Sequence, residues 1–139
     1  MMVWFDAFVQ NVDRTPKNAY LLVWHRKLYP IDHGAALFFH HDWPRMDKKI
    51  ASPFTEIAHH ILLPWAKDIP AAAAIARARL THEVLTEIVN NVPEEWLEGI
   101  PGGLSAAQRK AGYLDFFTKR LEASKVFEQE AMRARSRVV

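Results

Sequence analysis

The chain has 139 residues, half of them hydrophobic, and a formal net charge of +2. This length and composition suit one domain with its own core, and the near-balanced charges exclude the broad basic surface typical of nucleic-acid binding. The absence of cysteine excludes disulfides, thiolate zinc sites and cysteine nucleophiles, and it is compatible with a reducing compartment. No apolar run approaches the roughly 20 residues of a membrane span, and no basic leader precedes Asp6. We therefore expect a cytoplasmic protein with neither nucleic acid nor a membrane as partner.

The first segment predicts a short buried helix that leads into a charged loop. Residues 2–10 place apolar side chains at helical spacing from the start of the segment. Domains usually open with polar, frayed residues, so this apolar start suggests that the chain begins inside a larger fold. Residues 11–18 contain Pro16 and several Asn and Asp residues, which favour a loop.

Residues 20–32 predict a tight β-hairpin. Two β-prone runs, 20–24 and 27–32, are joined by His25 and Arg26, which is the length of a two-residue turn without the usual Asn-Gly pair. After Gly34 the residues to about 50 show no clean period, and they predict an ordered loop packed by its own aromatic residues.

The remainder, residues 52–135, is predicted to be helical. Ser52 and Pro53 are expected to begin a helix, Thr81 to cap another, and Ser105 with Gln108 to open a long final helix through a capping box. The chain is expected to break at Pro101, Gly102 and Gly103. The predicted buried faces of the three helices are, in order, Phe54, Ile57, Ala58, Ile61, Leu62 and Trp65; Val84, Leu85, Ile88 and Val89; and Ala107, Leu114, Phe117, Leu121 and Phe127. The whole chain, 1–139, is thus predicted to be a single, mainly α domain with one small β-hairpin.

Three oxygen-bearing side chains follow one another across the first loop and the hairpin. Asp13 and Asn18 lie five residues apart on the loop, and Asp32 follows the returning strand. Mg²⁺ prefers hard oxygen ligands and keeps several waters and substrate phosphates, so Asn18 and Asp32 are candidates to hold it while Asp13 faces an acceptor hydroxyl.

The order Asp-x-x-x-x-Asn, hairpin, Asp-x-Gly resembles the catalytic and metal-binding loops of protein kinases, lipid kinases and HipA-like kinases, with Asp32-His33-Gly34 at the place of Asp-Phe-Gly. The resemblance is closest to HipA-like proteins and extends over the whole chain. It rests on the segments FDAFVQNVDRTPKN and LYPIDHGAALFFH, with VPEEWL in support. It implies the helical C-terminal lobe of a kinase-like fold, with a catalytic loop at 11–18 and a metal-binding motif at 32–34.

The resemblance also implies roles for single residues. Asp13 becomes the catalytic base, Asn18 and Asp32 the Mg²⁺ ligands, Lys17 a contact of the transferred phosphate, and Arg14 a second phosphate contact or a support of the loop. ATP is then the phosphate donor, and a serine or threonine hydroxyl of a protein is the acceptor. The sequence departs from the kinase pattern before the base, where Asn-Val replaces His-Arg, and two residues after it, where a histidine common in HipA-like loops is replaced by threonine. These departures affect the expected substrate class more than the base and the ligands.

No residue before the catalytic loop supplies the phosphate-covering loop and lysine of a kinase N-terminal lobe, so we expect that lobe to be absent from this chain. The chain is then a truncated gene product, or it works with a separate chain that supplies the missing half; a homo-oligomer is also considered. The alternative is a non-catalytic helical interaction or regulatory module derived from a kinase lobe.

Three other patterns have more ordinary interpretations. The histidines at 33, 40, 41, 59 and 60 lack the i, i+4 spacing of a metal site, so loop or surface positions are favoured for them. The basic tail of arginines at 133, 135 and 137 is interpreted as complementing the dipole of the last helix. The aromatic side chains are interpreted as core packing rather than a ligand pocket; they are Trp4, Phe5, Phe8, Phe38, Phe39, Trp43 and Trp65.

Overall fold

The computed structural model describes residues 1–100 and 102–139, and within them it confirms a mainly helical chain with one small antiparallel hairpin near its start. The helices are α1 (Met2–Val9), α2 (Met46–Ile50), α3 (Ile69–Arg79), α4 (His82–Asn90), α5 (Ala106–Glu122) and α6 (Lys125–Arg135), and the strands are β1 (Leu21–Trp24) and β2 (Lys27–Pro30). Short 3-10 turns span Phe38–His41, Trp43–Arg45, Thr55–His59, Leu63–Trp65 and Glu94–Trp96.

The main core forms where α1 packs against α3 and α6. Trp4 stacks on Phe8 with ring centroids 5.2 Å apart and meets Phe127 edge-on at 5.4 Å. The indole N–H of Trp4 donates to a Glu128 carboxylate oxygen at 3.0 Å, so this buried ring has its polar group satisfied. The predicted buried helix at the start of the chain is therefore confirmed, and the far end of the chain covers it.

A second aromatic cluster joins α5 to the segment before α2. The Phe39 and Phe116 rings lie 4.3 Å apart, and Trp43 lies 5.1 Å from Tyr113. Gly112 makes this approach possible, because a Cβ atom there would lie 2.7 Å from the Trp43 ring. The segment predicted to be an aromatic-packed loop is therefore ordered as expected, but it contains two 3-10 turns and α2.

The buried guanidinium of Arg120 ties α5 to the end of α1. It donates to the carbonyl oxygens of Ala7 and Phe8 at 2.6 and 2.7 Å, and to those of Lys49, Ile50 and Ser52 at 2.8–3.2 Å. Burial lowers the pKa of Arg120 to about 10. All five acceptors are main-chain carbonyl oxygens. Two of them, from Ala7 and Phe8, belong to the last turn of α1, so Arg120 caps this helix end from a distant helix.

The prediction of a helix that begins at Ser52 and Pro53 is wrong. Residues 52–65 form two separate 3-10 turns, and His60 between them is extended, with φ −67° and ψ 125°. Phe54 and Ile57 are buried as predicted, whereas Trp65 is 68 % exposed. An extended His60 points its ring into the interior, which a continuous helix would not permit.

The later helices agree with the predictions in part. The Thr81 cap and the Ser105 capping box are present, but the long final helix breaks at Ala123 and Ser124 to give α5 and α6. Ile88 and Ala107 are exposed, so these two were wrongly assigned to the core. Gly102 and Gly103 have φ of 117° and 70°, in keeping with a break before α5, while Pro101 lies outside the described residues.

The hairpin prediction is confirmed. Leu21 pairs with Pro30 and Trp24 with Lys27, which leaves a two-residue turn. Both turn residues, His25 and Arg26, have positive φ (47° and 60°), the geometry that matches the twist of the strands and that Asn-Gly usually supplies. The sequence adopts the turn without the residues that favour it most.

Candidate active site

The loop that follows α1 is closed by its own side chains. Gln10 ends α1 in the left-handed region, and the Asn11 amide oxygen then accepts the Asp13 backbone N–H at 3.2 Å. The Thr15 N–H donates to the carbonyl oxygens of Asp13 (2.9 Å) and Asn18 (3.1 Å). These short-range bonds give residues 11–18 a defined turn, as Asx residues commonly do.

Asp13 and Asn18 are brought together at the surface end of this loop. The Asn18 amide N–H donates to Asp13 Oδ1 at 2.8 Å, while Asp13 is half-buried and Asn18 exposed. The bond leaves Asp13 Oδ2 and the Asn18 amide oxygen without hydrogen bonds among the described residues. Two oxygen atoms therefore remain available to a ligand.

The segment with Asp32 is held against the same loop on both sides of the aspartate. The Ile31 N–H donates to the Tyr20 carbonyl oxygen at 2.9 Å, and the Val12 N–H donates to that of Ala35 at 3.4 Å. Asp32 lies between these bonds, exposed, with φ of 50°. Main-chain bonds thus fix Asp32 relative to the turn that contains Asp13 and Asn18.

Gly34 leaves room for the Asp32 carboxylate. Asp32 Oδ1 accepts the Gly34 N–H at 3.2 Å, and a Cβ atom at residue 34 would lie 3.3 Å from that same oxygen. A larger residue would press on the carboxylate from the side to which it is bonded. Glycine at residue 34 therefore leaves the Asp32 carboxylate in this position without a tight contact.

Arg14 joins the two segments from inside the protein. Its side chain is fully buried, and it donates to the carbonyl oxygens of Tyr20 at 2.6 Å and Ile31 at 3.3 Å. Its Nε lies 2.5 Å from Asp6 Oδ2, and its Nη2 lies 3.4 Å from His33 Nδ1. This arrangement favours support of the loop over the phosphate contact that was the other role considered for Arg14.

The Asp6 carboxylate stands at the centre of this support. It accepts from Arg14, from the Asn11 amide at 3.2 Å and from His60 Nε2 at 2.9 Å, and its side chain is 1 % exposed. Burial alone would raise the pKa of Asp6, but the bonds from His60 and Arg14 outweigh it and hold that pKa below its ordinary value. Asp6 is therefore a charged group at neutral pH, buried with its partners.

His60 connects a third segment to the loop. Its Nδ1 accepts the Leu62 N–H at 3.0 Å, so in the neutral ring Nε2 carries the hydrogen that it donates to Asp6. The adjacent Ile61 N–H donates to the Arg14 carbonyl oxygen at 3.0 Å. Residues 60–62 thus support the loop of residues 11–18 through both a side chain and the main chain.

The sequence missed Asp6 and His60 as parts of the site. His60 was expected in a loop or at the surface; it lies between two 3-10 turns, outside the helices and strands, but it is 5 % exposed and so not at the surface. A carboxylate inside the apolar run of α1 was the available signal, since a buried acid requires cationic or hydrogen-bonding partners elsewhere in the chain. Lys17 is exposed on the loop, where it is open to a ligand.

Among residues 1–100 and 102–139, no group of three or more histidine, aspartate or glutamate side chains is arranged to hold a metal. No helix in that part of the chain combines the length and apolarity needed to cross a membrane. Comparison of the chain with protein-family models, curated proteins and solved structures found no match.

Proposed function

We propose that this chain is the catalytic half of a HipA-like phosphotransferase that uses ATP and Mg²⁺ and modifies a serine or threonine hydroxyl of a protein. One observation carries the proposal: the turn with Asp13 and Asn18 and the segment with Asp32 are clamped together by buried Arg14, while the three oxygen-bearing side chains remain accessible. A purely structural turn does not require a buried ion pair to fix it to a second loop.

Asp13 acts as the base in this proposal. Its Oδ1 is occupied by the Asn18 amide, so the proton of the acceptor hydroxyl passes to Oδ2 as the hydroxyl oxygen bonds to the γ-phosphorus. The bond from the γ-phosphorus to the bridging oxygen of the β-phosphate breaks at the same time, and ADP leaves. Lys17 lies four residues further along the same exposed loop and contacts the transferred phosphate. Arg14 and Asp6, both buried, hold the loop in place from the interior of the protein.

Asn18 and Asp32 carry the type of donor atom that Mg²⁺ prefers. The Asn18 amide oxygen and Asp32 Oδ2 are hard oxygen donors without hydrogen bonds among the described residues, and Mg²⁺ is usually held by one or two protein oxygens together with phosphates and water. When bound, the ion neutralises charge on the phosphates of ATP. The phosphate-covering loop is supplied from outside residues 1–139 in this proposal.

Thermal unfolding with Mg²⁺ and ATP tests the proposal. A ligand bound only by the folded state stabilises it by about 2.7 kcal/mol at a concentration 100-fold above its Kd. We expect the melting temperature to rise with Mg²⁺ and ATP together, and Asp32→Asn to remove that rise without lowering the melting temperature of the free protein, because Asp32 is exposed.

Asp47→Asn is the matched control, since Asp47 is an exposed carboxylate on α2. It is expected to retain the full response to Mg²⁺ and ATP. An unchanged melting temperature for the unmodified chain across the titration would reject the proposal, and an equal response of the unmodified chain and Asp32→Asn would reject the metal site.

An interaction module is the second candidate, and the hairpin favours it. Leu22, Val23 and Trp24 on β1 are 49 %, 68 % and 60 % exposed, and Leu28 and Tyr29 on β2 are about as open, at 40 % and 41 %. The strand register puts Leu22 and Tyr29 on one face and Val23 and Leu28 on the other, so both faces expose apolar side chains. Exposed apolar surface of this kind is typical of a protein-protein contact. In this alternative the hairpin binds a second copy of the chain or another protein, and no phosphate is transferred.

Val23→Lys is expected to weaken self-association at least about tenfold, a change of roughly 1.4 kcal/mol, if the hairpin is the contact. The measurement is sedimentation velocity over a concentration series. Ile88→Lys is the control, because Ile88 is 51 % exposed on α4, away from the hairpin. Self-association that survives Val23→Lys, or a chain that is monomeric throughout, would argue against the hairpin as a contact between copies.

A further inference from the structure

Two cavities with lining residues in common lie beside the segment that leads to the candidate base. The inner cavity, about 260 Å³, is lined by Val12, and Asp13 is the next residue in the chain. The outer cavity, about 510 Å³, shares Phe38, Lys49 and Ser52 with the inner one. The two adjoining cavities are together called the α2 groove.

The inner end of the α2 groove is mainly apolar. Val12 and Phe38, which are 39 % and 55 % exposed, form two walls, and buried Phe54 lies behind them. The volume is below the about 300–1,000 Å³ of sites that enclose a whole small molecule, so it suits a single apolar side chain. Glu56 also lines this end and disfavours an acidic side chain there.

The outer end is cationic. Arg45, Lys48 and Lys49 line it, against the single carboxylate of Asp42, which pairs with Arg45 at 3.3 Å. Lys48 and Lys49 have no ion-pair partner among the described residues. Their charge is therefore available to a ligand.

We propose that the α2 groove binds the peptide segment that carries the acceptor hydroxyl, with an apolar side chain in the inner cavity and acidic side chains at the outer end. The inference rests on the proposed function, because Asp13 defines where the hydroxyl lies. The class of substrate follows from the groove: a serine or threonine next to an apolar residue, followed at a distance by acidic residues. The charge pairing makes binding weaker as salt rises.

Fluorescence anisotropy with defined peptides tests this inference without any need for catalysis. The probes are labelled hexapeptides of serine, leucine, two glycines and two glutamates, with the leucine next to the serine and the glutamates at the far end, made in both chain directions. The matched probe carries two lysines in place of the glutamates. We expect an acidic probe to bind within a titration to about 1 mM, and the lysine probe to bind at least about tenfold more weakly.

Variants locate the binding. Phe38→Ala and Lys48→Glu, both at exposed positions, are each expected to weaken the acidic probe at least about tenfold. Trp65→Ala and Lys67→Glu are matched controls, because these exposed residues line neither cavity, and they are expected to bind the probe normally. Melting temperatures equal to that of the unmodified chain exclude unfolding as the cause.

The outcomes separate this inference from the proposed function. Any of three results overturns the proposed peptide groove, whatever the melting response to Mg²⁺ and ATP. They are no binding of either acidic probe, equal binding of the lysine probe, and full binding by Phe38→Ala and Lys48→Glu. A melting response to Mg²⁺ and ATP that disappears in Asp32→Asn supports the proposed function even where the probes fail to bind. If the probes bind but Mg²⁺ and ATP do not change the melting temperature, the groove binds peptides, and its assignment to phosphate transfer is rejected.

Discussion

Replacing Asp6 by alanine is expected to lower the free energy of unfolding by about 3–5 kcal/mol, because the substitution leaves a buried cation without its carboxylate. The cation is Arg14, which is fully buried and bonded to Asp6 at 2.5 Å, and His60 loses its acceptor at the same time. Urea unfolding followed by circular dichroism measures the loss.

Asp115→Ala provides the comparison. Asp115 pairs with Lys119 one turn along α5, and both side chains are largely in water, so its removal is expected to change stability far less. Similar losses for Asp6→Ala and Asp115→Ala would mean that the Asp6 cluster does not stabilise the loop.

The depressed pKa of Asp6 adds a dependence on pH to the same comparison. A carboxyl whose folded pKa lies below its ordinary 3.8 stabilises the protein above that value, and the contribution disappears as pH falls through the folded pKa. Acid titrations are therefore expected to show a fall in stability below pH 3.8 that is smaller in Asp6→Ala. Parallel curves for the two proteins would contradict the charged state assigned to Asp6.

Replacing Arg120 by methionine is expected to cost about 2–6 kcal/mol, since it leaves two fully buried carbonyl oxygens without donors and each costs about 1–3 kcal/mol. These are the carbonyls of Ala7 and Phe8 at the end of α1. Methionine keeps much of the volume of the side chain, so the loss reports on hydrogen bonds more than on packing.

The control for this substitution is Arg137→Met, at an exposed position after α6, which is expected to leave stability nearly unchanged. Denaturant midpoints of the two variants make the comparison. A neutral Arg120→Met would show that water replaces the guanidinium at these carbonyls.

The parts of the site that the sequence predicted are those formed by neighbours in the chain. The turn after α1 depends on Asn11, Asp13 and Asn18, whose side chains bond within a few residues. The hairpin depends on two β-prone runs and a gap of two residues. Turns depend on residues that are close together in the sequence, so the loop and the hairpin could be predicted from the sequence alone.

The parts that were missed depend on partners far along the chain. Asp6 and His60 are 54 residues apart, and no periodicity connects them. The apolar spacing from Phe54 to Leu62 correctly predicted that Phe54 and Ile57 are buried, but the backbone within that run is extended at His60, whose ring bonds to Asp6. Tertiary bonding thus overrode the local helical pattern, and with it the predicted burial of Trp65.

The contact between α1 and α6 has a consequence for how the chain folds during synthesis. Trp4 packs on Phe127 and donates to Glu128, more than 120 positions away. Trp4 leaves the ribosome before Glu128 does, so the face of α1 that packs on α6 stays uncovered until residue 128 has emerged. During that interval the exposed apolar surface is open to contacts with other chains, which favours aggregation.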